Sequence, residues 1–165
     1  MARLMALDVG EARIGVAVSD ATGILASPYK TLQVSRSEEQ TWQAIQQLID
    51  ETAAEGLVVG LPISLDGQIH AQGARVQAFA ERLQQHISIP LTFWDERLST
   101  VEAQRLLAQR EQDEGGTRRR QGTRRHTQTR RRQKGQQIDA LAAAVILQDY
   151  LLQSAQTLQS PQTDQ

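Results

Sequence analysis

The chain has 165 residues, enough for one domain of common size with a proper core. Apolar residues make up 39% of the chain and aromatics only 4%, so that core is aliphatic, and the absence of cysteine excludes a disulfide framework and thiolate metal sites. The net charge of −1 conceals a segregation: nine basic residues and no acid lie between Arg118 and Lys134, leaving nine basic against nineteen acidic residues elsewhere. An acidic body with one basic strap points either to a polyanion partner or to a solvated loop. The apolar runs before Asp8 and at Ala140–Leu147 are too short to cross a bilayer, and the expectation is a cytoplasmic protein with no membrane contact.

Leu4–Leu7 is a continuous apolar run and reads as a strand covered on both faces, ending in Asp8-Val9-Gly10. Ile14, Val16 and Val18 alternate with small residues as a second strand, and Ala26–Val34 forms a third with an irregular start at Pro28. The short spacings connect these three as antiparallel hairpins. Trp42, Ile45, Leu48 and Ile49 recur at helical spacing within Ser37–Ala54. Leu57-Val58-Val59 is a buried strand stopped by Gly60 and Pro62, and Val76 to Ile87 carries a second amphipathic helix. Pro90–Trp94 is a fifth strand. A third helix starts near Leu98, where Ser99 and Glu102 have capping-box spacing. The polar, glycine-punctuated stretch 112–137 reads as a mobile Arg-rich loop, Ile138–Leu152 as a buried last helix, and residues 153–165 as a disordered tail. The order predicts one α/β domain over residues 1–152, a five-stranded mixed sheet with helices on both faces.

Ligands of such sheets bind beyond the carboxyl ends of parallel strands. Asp8 and the pair Asp95-Glu96 stand there, and Asp139 opens the last helix. Singly each has a structural explanation: a turn, a local ion pair, a carboxylate complementing the helix dipole. Together they form an oxygen-ligand set of the kind hard cations such as Mg2+ take, and paired ions of this type assist phosphodiester cleavage. The metal-ligand candidates are therefore Asp8, Asp95, Glu96 and Asp139. Asp95 and Glu96 point to opposite sides of a regular strand, so only one serves as a direct ligand, and the sequence leaves open which. Arg75 and Arg97 are candidates for gripping a phosphate, or for pairing with a carboxylate. Arg118, Arg119, Arg120, Arg130, Arg131, Arg132 and Lys134 are candidates for contacting backbone phosphates without reading sequence. His70, His86 and His126 are scattered at no metal-ligand spacing and read as surface or packing residues.

Four stretches carry a resemblance. They are Ala6-Leu7-Asp8-Val9-Gly10 with Arg13-Ile14-Gly15-Val16-Ala17-Val18-Ser19-Asp20; Val59-Gly60-Leu61-Pro62 with Asp66-Gly67; Asp95-Glu96-Arg97-Leu98-Ser99-Thr100-Val101-Glu102-Ala103; and Lys134-Gly135 with Asp139-Ala140-Leu141-Ala142-Ala143. From about Arg3 to Leu152 the chain resembles the YqgF family, Holliday-junction-resolvase-like proteins described as pre-16S rRNA nucleases. The resemblance implies a ribonuclease-H-like fold and a nuclease that uses Mg2+ or Mn2+. It implies trimming of the 5′ end of precursor small-subunit rRNA, with Asp8, the Asp95-Glu96 pair and Asp139 matching the family's acidic site; Asp8, Glu96 and Asp139 are the catalytic candidates. Ser64 stands where the family often has asparagine, and the Arg-rich stretch is longer than expected for it. Three other readings stay open: a resolvase acting on branched DNA, a nucleic-acid-binding module without catalysis, and a nucleotide-binding ATPase. The second is favoured by Leu57-Val58-Val59 ending in Gly-Leu-Pro, which supplies no acid. The third is suggested by Asp8-Val9-Gly10 and Gly15, but the chain is short for two lobes.

Overall fold

The computed structural model of the chain describes residues 2–63, 66–95, 108 and 127–159, with side chains of the last stretch described from 139 to 157. Five strands form one mixed sheet in the order β3-β2-β1-β4-β5: β1 Leu4–Val9, β2 Arg13–Ser19, β3 Ala26–Gln33, β4 Gly56–Leu61 and β5 Leu91–Asp95. β2 pairs antiparallel with β1 and β3, while β4 runs parallel to β1 and β5 parallel to β4. The expected antiparallel meander followed by parallel strands is thus present.

Alternation along the strands splits the core in two. Met5, Leu7, Ile14, Val16, Leu57 and Val59 face the helices α1 (Glu38–Thr52) and α2 (Ala71–Gln84), which bury Trp42, Ile45, Leu48, Val76, Ala80 and Leu83 against them. Trp42 sits between Phe79 and His86, its ring centroid 4.9 Å from one and 5.7 Å from the other, so His86 packs as expected. The opposite face carries small residues, Ala6, Ala17 and Ala26, with Val58. Onto it packs α3 (Thr127–Gln159) through Ala143, Ala144, Leu147 and Leu151. Small side chains on both partners let this helix approach the sheet closely.

α3 corrects the boundaries read from sequence. Residues 127–137, expected within a mobile loop, and 153–159, expected in a disordered tail, are helical. Both stretches are rich in glutamine or arginine, which are polar yet good helix formers, and each extends a turn already nucleated by the buried centre. β4 also runs further than its apolar triplet, through Gly60 to Leu61. The helix expected near Leu98 and most of the 112–137 stretch lie outside the described residues. No helix among the described residues is long and apolar enough to cross a membrane.

Candidate active site

Asp8 lies near the carboxyl end of the central strand β1, on the face that α3 covers, because it follows Leu4 and Ala6 at alternate positions. Both of its sheet neighbours lack side chains. Asp8 pairs with Gly15 on β2. On the other side Leu7 pairs with Val59, so the next step along both parallel strands sets Asp8 beside Gly60. The carboxylate therefore rises from a bare strip of backbone.

That bareness positions the second carboxylate. A Cβ on Gly15 would overlap the backbone carbonyl of Asp139, so the turn of α3 at Asp139 rests directly on the β2 main chain. Farther along, the Gln148 side chain accepts from Ala26 N–H at 2.9 Å and donates to Ile24 O at 3.0 Å, at the β2–β3 turn. α3 thus runs antiparallel to β1: Asp139 stands over its carboxyl end and Gln148 over the opposite end of the sheet. Residues 127–138 continue the helix on the amino-terminal side of Asp139.

The pair is electrostatically incomplete. Burial pushes the Asp8 carboxyl above its ordinary value of 3.8, and the charge of Asp139 pushes it further. Asp139 faces Arg13, whose Nε lies 2.9 Å from Oδ2. That oxygen is nevertheless buried and accepts no hydrogen bond among the described residues. Two carboxylates over a bare backbone strip, one with an orphaned oxygen, are a donor set suited to a hard divalent cation. Asp8 and Asp139 would hold it; among the described residues no group of three such ligands gathers.

The other expected site residues fall as follows. Asp95 ends β5 one residue after Trp94, which packs on the α3 side, so alternation puts Asp95 on the α1/α2 side of the sheet, away from Asp8. Glu96, Arg97, Arg118, Arg119 and Arg120 lie outside the described residues. Arg130, Arg131, Arg132 and Lys134 belong to the part of α3 before Asp139, whose backbone alone is described. Arg75 reaches from α2 to Glu11 in the β1–β2 turn and makes an ion pair with it. That hydrogen bond, and then the charge of Arg75, hold the Glu11 carboxyl below its ordinary value. Sequence reasoning had not made Arg13 a site residue. Its signal was there in the strand alternation, which sets Arg13 on the face of Gly15 and Ala17. The buried Asp149 was likewise missed: it accepts from Trp94 Nε1 at 2.9 Å and ties α3 to β5.

A mixed sheet of this order, with carboxylates meeting over the carboxyl end of its central strand and a helix closing over them, is the ribonuclease-H-like architecture. The RuvC of Thermus thermophilus in complex with a Holliday junction substrate superposes with a TM-score of 0.57 over 94% of this chain and 97% of that one, at 9% identity. A second Thermus thermophilus RuvC structure gives a TM-score of 0.52 over the same shares. Within that class, the sequence model of the RuvX family, described as Holliday junction resolvase, matches residues 2–153, and the chain belongs to this family, the one whose resemblance it carries as YqgF. Relatives named pre-16S rRNA nuclease include one from Thermoanaerobacter pseudethanolicus, 39% identical over 90% of this chain and 95% of its own length. Another, from Roseiflexus sp., is 41% identical over 90% of this chain and 93% of its own length.

Proposed function

We propose that this protein is a divalent-metal-dependent nuclease that hydrolyses phosphodiester bonds in structured RNA, with the 5′ end of pre-16S rRNA as its substrate. The observation that carries this reading is the meeting of Asp8 and Asp139 over the glycine strip, joined to membership of the RuvX family. We take the third carboxylate to be Glu96, which lies outside the described residues, because alternation puts Asp95 on the other side of the sheet. When bound, Mg2+ or Mn2+ supplies activation of a water and neutralisation of charge on the phosphate. The chain's own groups do the rest. Asp8 and Asp139 would hold that cation. Gly15 leaves room for the main chain of α3, which covers one side of the site.

The basic residues of α3 supply substrate grip. With about 1.5 Å of rise per residue, Lys134 lies about 7.5 Å and Arg130 about 13.5 Å along the axis from Asp139. That is a reach of a few nucleotides. Positive charge in the first turns of a helix opposes the helix dipole, and a polyanion relieves that cost. Such contacts position a substrate without reading its sequence.

The test is cleavage of end-labelled precursor rRNA and of a four-way DNA junction with magnesium, with manganese and with EDTA, comparing the wild type with Asp139→Asn. Metal-dependent cutting of the rRNA that the variant loses is the expected result. Preference for the junction would move the substrate to branched DNA. Binding of both without cutting under any metal would leave a nucleic-acid-binding module and overturn the enzyme reading.

A further inference from the structure

Arg13 is the cation that faces the carboxylate pair among the described residues, and its attachment to Asp139 is of an exchangeable kind. Nε stands 2.9 Å from Oδ2, yet that oxygen accepts no aligned hydrogen bond. The pair is held by charge rather than by the two parallel N–H···O bonds that make a guanidinium–carboxylate fork strong and directional. The Arg13 backbone is fixed. Its carbonyl accepts from Gly10 N–H at 2.9 Å, and a Cβ on Gly10 would stand 2.8 Å from that same oxygen. Arg13 also pairs with Gln33 across the β2–β3 ladder. Only its side chain is free to leave, and that side chain is 40% exposed, against 25% for Asp139, so a way out to solvent exists.

We propose that Arg13 is a built-in counter-cation for Asp139. It balances the carboxylate while the site holds no metal, and it is displaced when a divalent cation takes that oxygen. The idea rests on the reading of Asp8 and Asp139 as metal ligands. Asp139 needs positive charge in both states, because its buried Oδ2 accepts no hydrogen bond among the described residues and it shares the carboxyl end of β1 with the carboxylate of Asp8. A tethered guanidinium and a free divalent ion then compete for one atom. The competition keeps α3 seated in the empty protein and raises the metal concentration at which the site fills.

The experiment is titration of the nucleic-acid-free protein with Mn2+ by calorimetry, on the wild type, Arg13→Met, Arg13→Lys and Asp139→Asn, with melting curves of each with and without Mn2+. A partly exposed ion pair contributes up to ~1 kcal/mol, so the Arg13→Met protein should bind Mn2+ about two- to five-fold more tightly. Arg13→Lys should stay close to wild type, and Asp139→Asn should lose binding. Arg13→Met should also melt no higher than wild type without metal yet gain more on adding Mn2+, which a purely structural residue would not do. Arg13→Gln reads the same quantities if the methionine variant does not fold. Unchanged or weaker Mn2+ binding on neutralising Arg13, with Asp139→Asn still losing it, overturns the counter-cation and leaves the carboxylate site standing. Absence of Mn2+ uptake by all four proteins removes the metal site and the counter-cation together.

Discussion

The main-chain carbonyl of Asp139 occupies the place where a side chain on Gly15 would begin. Two residues 124 positions apart are therefore in backbone-to-backbone contact, and the distance between α3 and the sheet is set by one missing carbon. Gly15→Ala should be among the most damaging small substitutions in the protein. The new methyl group meets main chain rather than a flexible side chain, so α3 must shift. Overpacking of this kind costs about 3 kcal/mol. Chemical denaturation should show that loss, and Mn2+ affinity should fall with it because Asp139 moves with the helix. A variant of wild-type stability and affinity would mean that α3 tolerates a looser seat.

Asp8 predicts an inverse relation between stability and pH. Its carboxyl is raised above 3.8, first by burial and then by Asp139. The folded protein then holds the proton more strongly than the unfolded chain. The associated stability is fully present below the ordinary value and is lost as pH rises through the raised one. With a chelator present, Asp8→Asn should accordingly melt higher than wild type at pH 7, and the gap should close as the pH falls towards 3.8. A variant less stable than wild type at pH 7 would show that the ionised carboxylate has a favourable partner in the metal-free protein.

Arg75 and Glu11 make a paired prediction about substrate. Both are exposed, so breaking their ion pair should leave stability nearly unchanged. If Arg75 exchanges Glu11 for a phosphate, Arg75→Ala weakens RNA binding and reduces the slope of log affinity against log salt by about 0.7 to 0.9. Glu11→Gln, which frees the guanidinium, should instead strengthen binding. Fluorescence anisotropy across a salt series measures both, and an unchanged slope in Arg75→Ala would assign the arginine to the turn alone.

Gln148 tests the far anchor of α3. Its buried amide serves Ala26 N–H and Ile24 O together. Gln148→Leu removes both of these hydrogen bonds, at a cost of about 1–3 kcal/mol. Since the other end of the helix rests on Gly15, Mn2+ affinity should change less than stability does. An equal loss of both would show that the helix moves as a whole.

Much of the sheet was readable because each strand's pattern is local. Alternation around Ile14, Val16 and Val18 and the apolar runs at Leu4 and Leu57 carry their own period, and the short connections leave little choice of pairing. Asp8 and Asp139 were legible as candidates because an acid interrupts an apolar segment in each case. Their meeting depends on Gly15 admitting the helix backbone, which no window of sequence around either residue contains. Arg13 escaped notice for a related reason. An arginine at the start of a strand is ordinary, and its role depends on a helix more than a hundred residues later. The ends of α3 were misread because polarity was taken as a sign of loop, whereas Gln and Arg are compatible with helix wherever a buried segment nucleates it.

The sheet and its first two helices are complete by Asp95, yet Asp139 belongs to the last element of the described fold. A growing chain therefore has its scaffold long before it has its carboxylate pair. A domain folds as a unit, so this protein acquires its carboxylate pair only once its last described element has been made. A partly made copy, still beside the RNA of the ribosome translating it, holds Asp8 without Asp139.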